Sequence, residues 1–287
     1  MKRFVTLDVL RGLSIFGMVF SAIIPYGVLP GWMYHIQTPP PDHVLDTANY
    51  GLGWVDLVFP IFIFCMGVAI PFAFRAKWKR SGQDVPRDMK DIGERFLMLL
   101  AFSYLCNLLQ PDLPGYWSNF LILAGFAALW LIYVKGASFK IRLAGWAASF
   151  GLLALYAFVF DVRMTLFGRN IIILLLAFLY LFGALIWYVT RDSEKWRLVA
   201  FLFVVAVSLV SRLLGFDHIL YDNKNLSWLL NMEEINFLMI LLPATWVGDK
   251  LLTMQEKEET DIPRGGILIH LLFWGMFLLV VWICISS

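Results

Sequence analysis

Long apolar runs alternate with short charged connectors along most of the chain. Nine of these runs are about long enough to cross a hydrocarbon core of roughly 30 Å. They cover residues 6–28, 54–74, 94–110, 117–134, 141–160, 170–190, 196–214, 235–252 and 266–285. The runs are continuous rather than alternating, so they predict helices and not barrel strands. The expected fold is therefore all-α: a polytopic transmembrane helical bundle of about nine spans, forming one domain over 1–287.

Composition agrees with the pattern. Hydrophobic residues make up 60% of the chain, charged residues 15%, and the mean hydropathy is +0.75. A soluble domain of 287 residues has no interior large enough for so much apolar surface. The formal net charge of +2 implies no polyanionic partner, and so no nucleic acid.

Charge placement says more than net charge. The segment 75–95 holds Arg75, Lys77, Lys79, Arg80, Arg87, Lys90 and Arg95. Connectors near 135–142, 191–197 and 250–264 add three basic residues each, and Lys2, Arg3 and Arg11 stand near the N-terminus. Together these are 19 of the 23 Lys and Arg residues; Arg163, Arg169, Arg212 and Lys224 fall on the other side. The positive-inside rule then predicts a cytoplasmic N-terminus, with connectors 29–53 and 215–234 outside. Connectors of that length at a membrane surface are more often functional than plain links.

Cys65, Cys106 and Cys284 all lie in apolar runs, where they read as small buried side chains. No spacing suggests a metal site or a disulfide framework. There is no phosphate-binding glycine loop and no serine nucleophile elbow.

Four stretches carry candidate chemistry. Residues 54–70 open on Trp54 and a carboxylate, Asp56, with Pro60 one turn later. A carboxylate at a bilayer boundary needs a reason, and Pro60 frees the backbone carbonyl of Asp56. Asp56 reads either as a helix cap or as a group that orients a histidine or an incoming amine. His35 stands in an outer loop stiffened by Pro39, Pro40 and Pro41. It reads as a general base for an amine or hydroxyl, or as an interfacial histidine with no catalytic task. His43, beyond the prolines, is the poorer candidate; His218 and His270 read as a loop and a helix residue. Asp8 and Arg11 share a face of the first helix and read as an interfacial salt bridge or as the wall of an anion-binding entrance. In Leu241-Leu-Pro-Ala-Thr-Trp-Val-Gly-Asp-Lys, Pro243 predicts a kink, Thr245 can satisfy a freed carbonyl, and Gly248 permits close packing.

The pairing of Thr6-Leu-Asp-Val-Leu-Arg-Gly-Leu-Ser with Trp54-Val-Asp-Leu-Val-Phe-Pro-Ile-Phe-Ile-Phe-Cys-Met-Gly resembles the heparan-α-glucosaminide N-acetyltransferase family. Gly31-Trp-Met-Tyr-His-Ile-Gln-Thr-Pro-Pro-Pro looks most like that family's uncharacterised bacterial branch. The motifs cover about the first 75 residues, with weaker support at 243–249. The resemblance implies a transmembrane acyltransferase of a bacterial inner membrane that moves acetyl from cytoplasmic acetyl-CoA to a sugar amine or hydroxyl outside. It implies a catalytic histidine at His35. The leading reading adds Asp56 as its orienting partner and a donor path past Asp8, Arg11 and the basic 75–95 segment. The family fold of about eleven spans implies two more spans than are read here. Direct transfer and a covalent acetyl-histidine route both remain open, as does a homo-oligomer. The competing readings are a transporter or flippase for a glycan or lipid-linked sugar and a structural membrane subunit.

Overall fold

The structure, a computed structural model, describes residues 5–44, 46, 49, 51–109, 116–160, 170–214 and 233–256. The span expected at 266–285 and nearly all of the connector 215–234 lie outside these residues. Among the described residues there are eight α-helices and no strand. They are α1 (Val5–Ile23), α2 (Trp54–Ser81), α3 (Val85–Leu105), α4 (Tyr116–Tyr133), α5 (Phe139–Val159), α6 (Ile171–Thr190), α7 (Glu194–Leu214) and α8 (Glu233–Glu256). Seven of them are long and apolar enough to cross a membrane. The polytopic helical bundle expected from the hydropathy is what the chain forms.

Contacts divide the chain into two compact units. One holds Met1–Asp88, Phe182–Ile219 and Met232–Ser287; the other holds Met89–Leu181 and Leu220–Asn231.

In the first unit α2 is the central element. It runs for 28 residues through both Pro60 and Pro71, longer than the apolar run 54–74. Its last two turns carry Arg75, Lys77, Lys79 and Arg80, which are good helix formers. Helix α3 begins at Val85, ahead of the apolar run that starts at 94. The basic segment 75–95 is thus two helix ends joined by residues 82–84 rather than an open connector. Gly82 closes α2 at φ +70° and donates its N–H to Trp78 O, the backbone turn that glycine makes at least cost. The Arg87 guanidinium donates to Ser81 O and Gly82 O at 3.0 and 2.7 Å. A cation there also suits the negative end of the α2 dipole.

Small residues let α2 and α8 approach closely. A Cβ on Gly67 would lie 2.5 Å from Leu241 O, and one on Gly248 would lie 2.6 Å from Val68 O. This is the small-residue packing of membrane helices, and Gly248 serves as its sequence suggested. Thr245 donates to Leu242 O at 2.7 Å, not to the Met239 carbonyl that Pro243 frees. Helix α1 packs antiparallel on α2. Gly17 meets Val58, where a Cβ would come within 2.8 Å, and Phe20 meets Trp54 with ring centroids 6.1 Å apart. Only Ser14 and Gly17 of α1 are buried.

The second unit packs α4 against α5 around Leu105, Leu108, Leu121, Leu129, Ile132 and Tyr156. Helix α3 ends there in a 3-10 turn, Cys106–Leu109. Such an end leaves carbonyls without a helical partner, and Tyr156 Oη donates to that of Leu108 at 3.3 Å. Tyr133 Oη donates to Met98 O at 2.8 Å.

Candidate functional site

The connector between α1 and α2 is built to hold a few side chains still. Tyr34 is buried and acts as its hub. Its hydroxyl accepts the N–H groups of Val28 and Leu29 at 3.1 and 2.8 Å and donates to Pro25 O at 2.9 Å. Its ring packs on Tyr26 and on the edge of His43. Trp54, the first residue of α2, donates its indole N–H to Met33 O at 3.1 Å. Thr38 donates both its amide and its hydroxyl to His35 O, each at 3.0 Å. His35 is therefore held by its neighbours on both sides.

The result is a contact between two residues 21 positions apart. His35 Nδ1 lies 2.6 Å from Asp56 Oδ1. The second carboxylate oxygen, Asp56 Oδ2, accepts the Gly53 N–H at 2.7 Å. Asp56 thus caps the first turn of α2 and also meets the histidine. An ionised carboxylate only accepts, so Nδ1 of a neutral ring is the donor and Nε2 carries the free lone pair. The side chain of His35 is 49% exposed and that of Asp56 16%. The ring nitrogen that can take a proton is on the half-open residue, while the carboxylate behind it is sheltered. This is the base-plus-orienter arrangement of general-base chemistry.

His43 is differently placed. Its ring stacks on Tyr26 with centroids 4.5 Å apart, and Nδ1 donates to Thr38 O at 3.1 Å. It packs the loop.

Asp8 and Arg11 lie half-buried on α1 and are not brought to the His35–Asp56 pair. They also lie deeper than the helix mouth expected for them. Asp56 and Lys77 are about 32 Å apart along α2 at 1.5 Å per residue, close to one hydrocarbon thickness. The antiparallel register set by Gly17–Val58 and Phe20–Trp54 brings Arg11 level with residues 63–64. Arg11 is thus about 10–12 Å from the level of Asp56, roughly a third of the way along that length of helix.

The far end of the first unit holds a cluster of polar groups that the sequence did not bring together. Asp88 is fully buried. It accepts Lys77 Nζ at 2.6 Å, Trp78 Nε1 at 2.8 Å and Tyr188 Oη at 3.1 Å. Asp249 accepts Arg197 Nη1 at 2.6 Å and Trp187 Nε1 at 3.0 Å. The indoles of Trp78 and Trp187 stack between the two carboxylates, and the Arg191 guanidinium lies over Tyr188 and Trp78. No motif spacing links these residues; only charged positions inside or beside apolar runs, Arg197 above all, were a usable signal. Among the described residues no three His, Cys, Asp or Glu side chains converge as a metal site would require.

The fold and the charged groups set along it define an integral membrane protein of the polytopic helical class. Residues 3–251 match the family described as "Domain of unknown function (DUF5009)", and the chain belongs to that family. No curated protein and no solved structure matches it.

Proposed function

We propose that the chain is a membrane acyltransferase that moves an acetyl or other acyl group from acyl-CoA to an amine or hydroxyl, on a sugar in the first instance. The observation that carries this reading is the 2.6 Å contact of His35 Nδ1 with Asp56, which leaves Nε2 open on a half-exposed ring. In the reaction, Nε2 takes the proton from the acceptor nitrogen or oxygen as that atom attacks the thioester carbonyl. The new C–N or C–O bond forms, the C–S bond breaks, and the imidazolium returns its proton to the departing CoA thiolate. Asp56 holds the ring and offsets its transient charge. Acyl-CoA is a substrate here. Asp8 and Arg11 would line its route along the α1–α2 seam, and Arg11 supplies a cation for its anionic groups. The basic ends of α2 and α3 would face the cytoplasm of a bacterial inner membrane, and the His35 loop would face outward.

The test is transfer of radiolabelled acetyl from acetyl-CoA to glucosamine by the purified protein. Transfer that disappears in His35→Ala supports the reading; wild-type protein without transfer defeats it. Saturating acetyl-CoA should also raise the melting temperature, and Arg11→Ala should shrink that rise. For orientation, Val44→Cys should be labelled from outside by an impermeant reagent and Ser81→Cys from inside; the reverse would invert the topology.

One observation favours the transporter alternative. Arg11 well inside the span, on a helix with few buried residues, is the kind of intramembrane charge that marks a translocation path. Uptake of a labelled glycan into vesicles without any acetyl transfer would select it.

A further inference from the structure

The surroundings of His35 bear on what the acceptor is, given the acyltransferase reading on which this inference rests. Asp56 opens α2 at the edge of the hydrocarbon layer, about 32 Å of helix from Lys77. His35, in contact with it, therefore works at headgroup depth rather than out in the water. The chain leading from α1 to the site is apolar and uncovered: Ile23, Tyr26, Val28 and Trp32 are exposed, as is Val44 on the far side of the prolines. Trp32 is 70% exposed although it lies three residues from His35. These side chains continue the uncovered face of α1 formed by Leu13, Phe16 and Val19, which in a bilayer meets acyl chains. The rim is rigid, because the Tyr34 hydroxyl ties down residues 25–29. Its charge is one-sided: residues 29–53 contain Asp42 and Asp46 and neither Lys nor Arg. A phosphate or sulfate headgroup would find no lysine or arginine in this connector, whereas an uncharged or amine-bearing headgroup would meet its carboxylates and carbonyls.

We infer that the acceptor is an amphiphile: a non-anionic head with an amine or hydroxyl, carried on an alkyl or acyl tail that lies along α1 and under Trp32. The head reaches His35 from within the leaflet, and the membrane supplies most of the contact area. Each methylene moved from water to an apolar surround contributes about 0.8 kcal/mol, so a tail gives binding that the small polar head lacks.

The experiment compares two acceptors on the full chain in phosphatidylcholine nanodiscs with acetyl-CoA. One is glucosamine; the other is an alkyl glucosaminide with the same amine. The tailed acceptor should show a kcat/KM at least about tenfold higher. Trp32→Ser should erase that preference by lowering kcat/KM for the tailed acceptor more than for the free sugar. Equal efficiency for both acceptors overturns the inference while leaving the acyltransferase reading standing, as does a Trp32→Ser protein that keeps the full preference. If neither acceptor is acetylated, the acyltransferase reading falls. The lipid-side site is then decided by a photoreactive alkyl glucosaminide. Cross-linking to the 24–44 segment that unlabelled alkyl glucosaminide competes away supports it; labelling spread evenly over the helices overturns it.

Discussion

At one end of α2, Asp56 meets a half-exposed histidine; at the other, the buried Asp88 and the buried Arg197 are paired with Lys77 and Asp249, and three indole or phenol donors join the two carboxylates. Both ends pair a carboxylate with a cationic or ring-nitrogen partner at 2.6 Å. The difference lies in what remains unused. Around Asp88 the lysine and both aromatic donors are engaged, and the group ties α2 to α3 and α6. Around Asp249, Arg197 is 1% exposed and ties α7 to α8, with Trp187 bringing in α6. At the His35 end one ring nitrogen has no carboxylate to serve. A buried pair that bridges different helices can hold them together. A half-open pair contributes little to stability and keeps a proton-accepting atom for chemistry.

Mutations that separate stability from activity should sharpen this contrast. The largest effect is expected for His35→Ala. Acetyl transfer should fall about 100- to 10,000-fold, the usual cost of removing a general base, while the melting temperature stays close to wild type. His43→Ala should lose far less transfer, since that ring packs the loop. Near-normal turnover in His35→Ala would end the proposed mechanism.

At the opposite end the signature should invert. Asp249→Ala strands the Arg197 guanidinium in the interior and should cost about 3–5 kcal/mol of stability, read as a lower unfolding midpoint in detergent. Arg197→Met should cost less, because Asp249 keeps the Trp187 donor and its side chain is 27% exposed. A stable Asp249→Ala protein would show that this cluster does not hold the bundle.

Asp56→Asn should fall between His35→Ala and His43→Ala in transfer. The amide keeps the size of the side chain but no longer stabilises the charged ring, and it need not select the tautomer with Nε2 free. Unchanged pH–rate profiles for Asp56→Asn and wild type would remove Asp56 from the mechanism. The smallest effect is expected for Tyr34→Phe. Loss of a hydroxyl that serves three backbone groups should cost about 1–3 kcal/mol locally. It should appear as a weakened His35 Nδ1–H signal in NMR, with transfer lowered through kcat more than KM. The same loss of transfer with an intact Nδ1–H signal would argue against a positioning role for Tyr34.

How much of this was legible in the sequence differs by element. Helices α4, α5 and α6 begin and end within a few residues of their apolar runs, because burial in lipid demands a continuous apolar helix. Helix α2 outran its run by seven residues and α3 began nine earlier. Hydropathy measures what lipid tolerates, whereas a helix ends where its backbone is capped, and Gly82 and Arg87 supply that cap. Asp8 and Arg11 were legible as a motif but not in depth, which depends on how far α1 slides along α2 before Gly17 meets Val58. His35 and Asp56 were each legible as candidates, yet two readings stayed open for both.

The sequence alone determined the class of the molecule. Sixty per cent hydrophobic residues in long unbroken runs leave the backbone no solvent but itself, so helices across a bilayer follow. It also determined the chemical types on hand, a histidine among prolines and a carboxylate at a helix start. Tertiary structure decided which of them meet. Twenty-one residues separate His35 from Asp56, and sixty-two separate Trp187 from Asp249. Contacts at that range depend on helix register and on the folding of a loop, here through Tyr34 and Trp54. Those are properties of the packed backbone that no local pattern of residue types encodes.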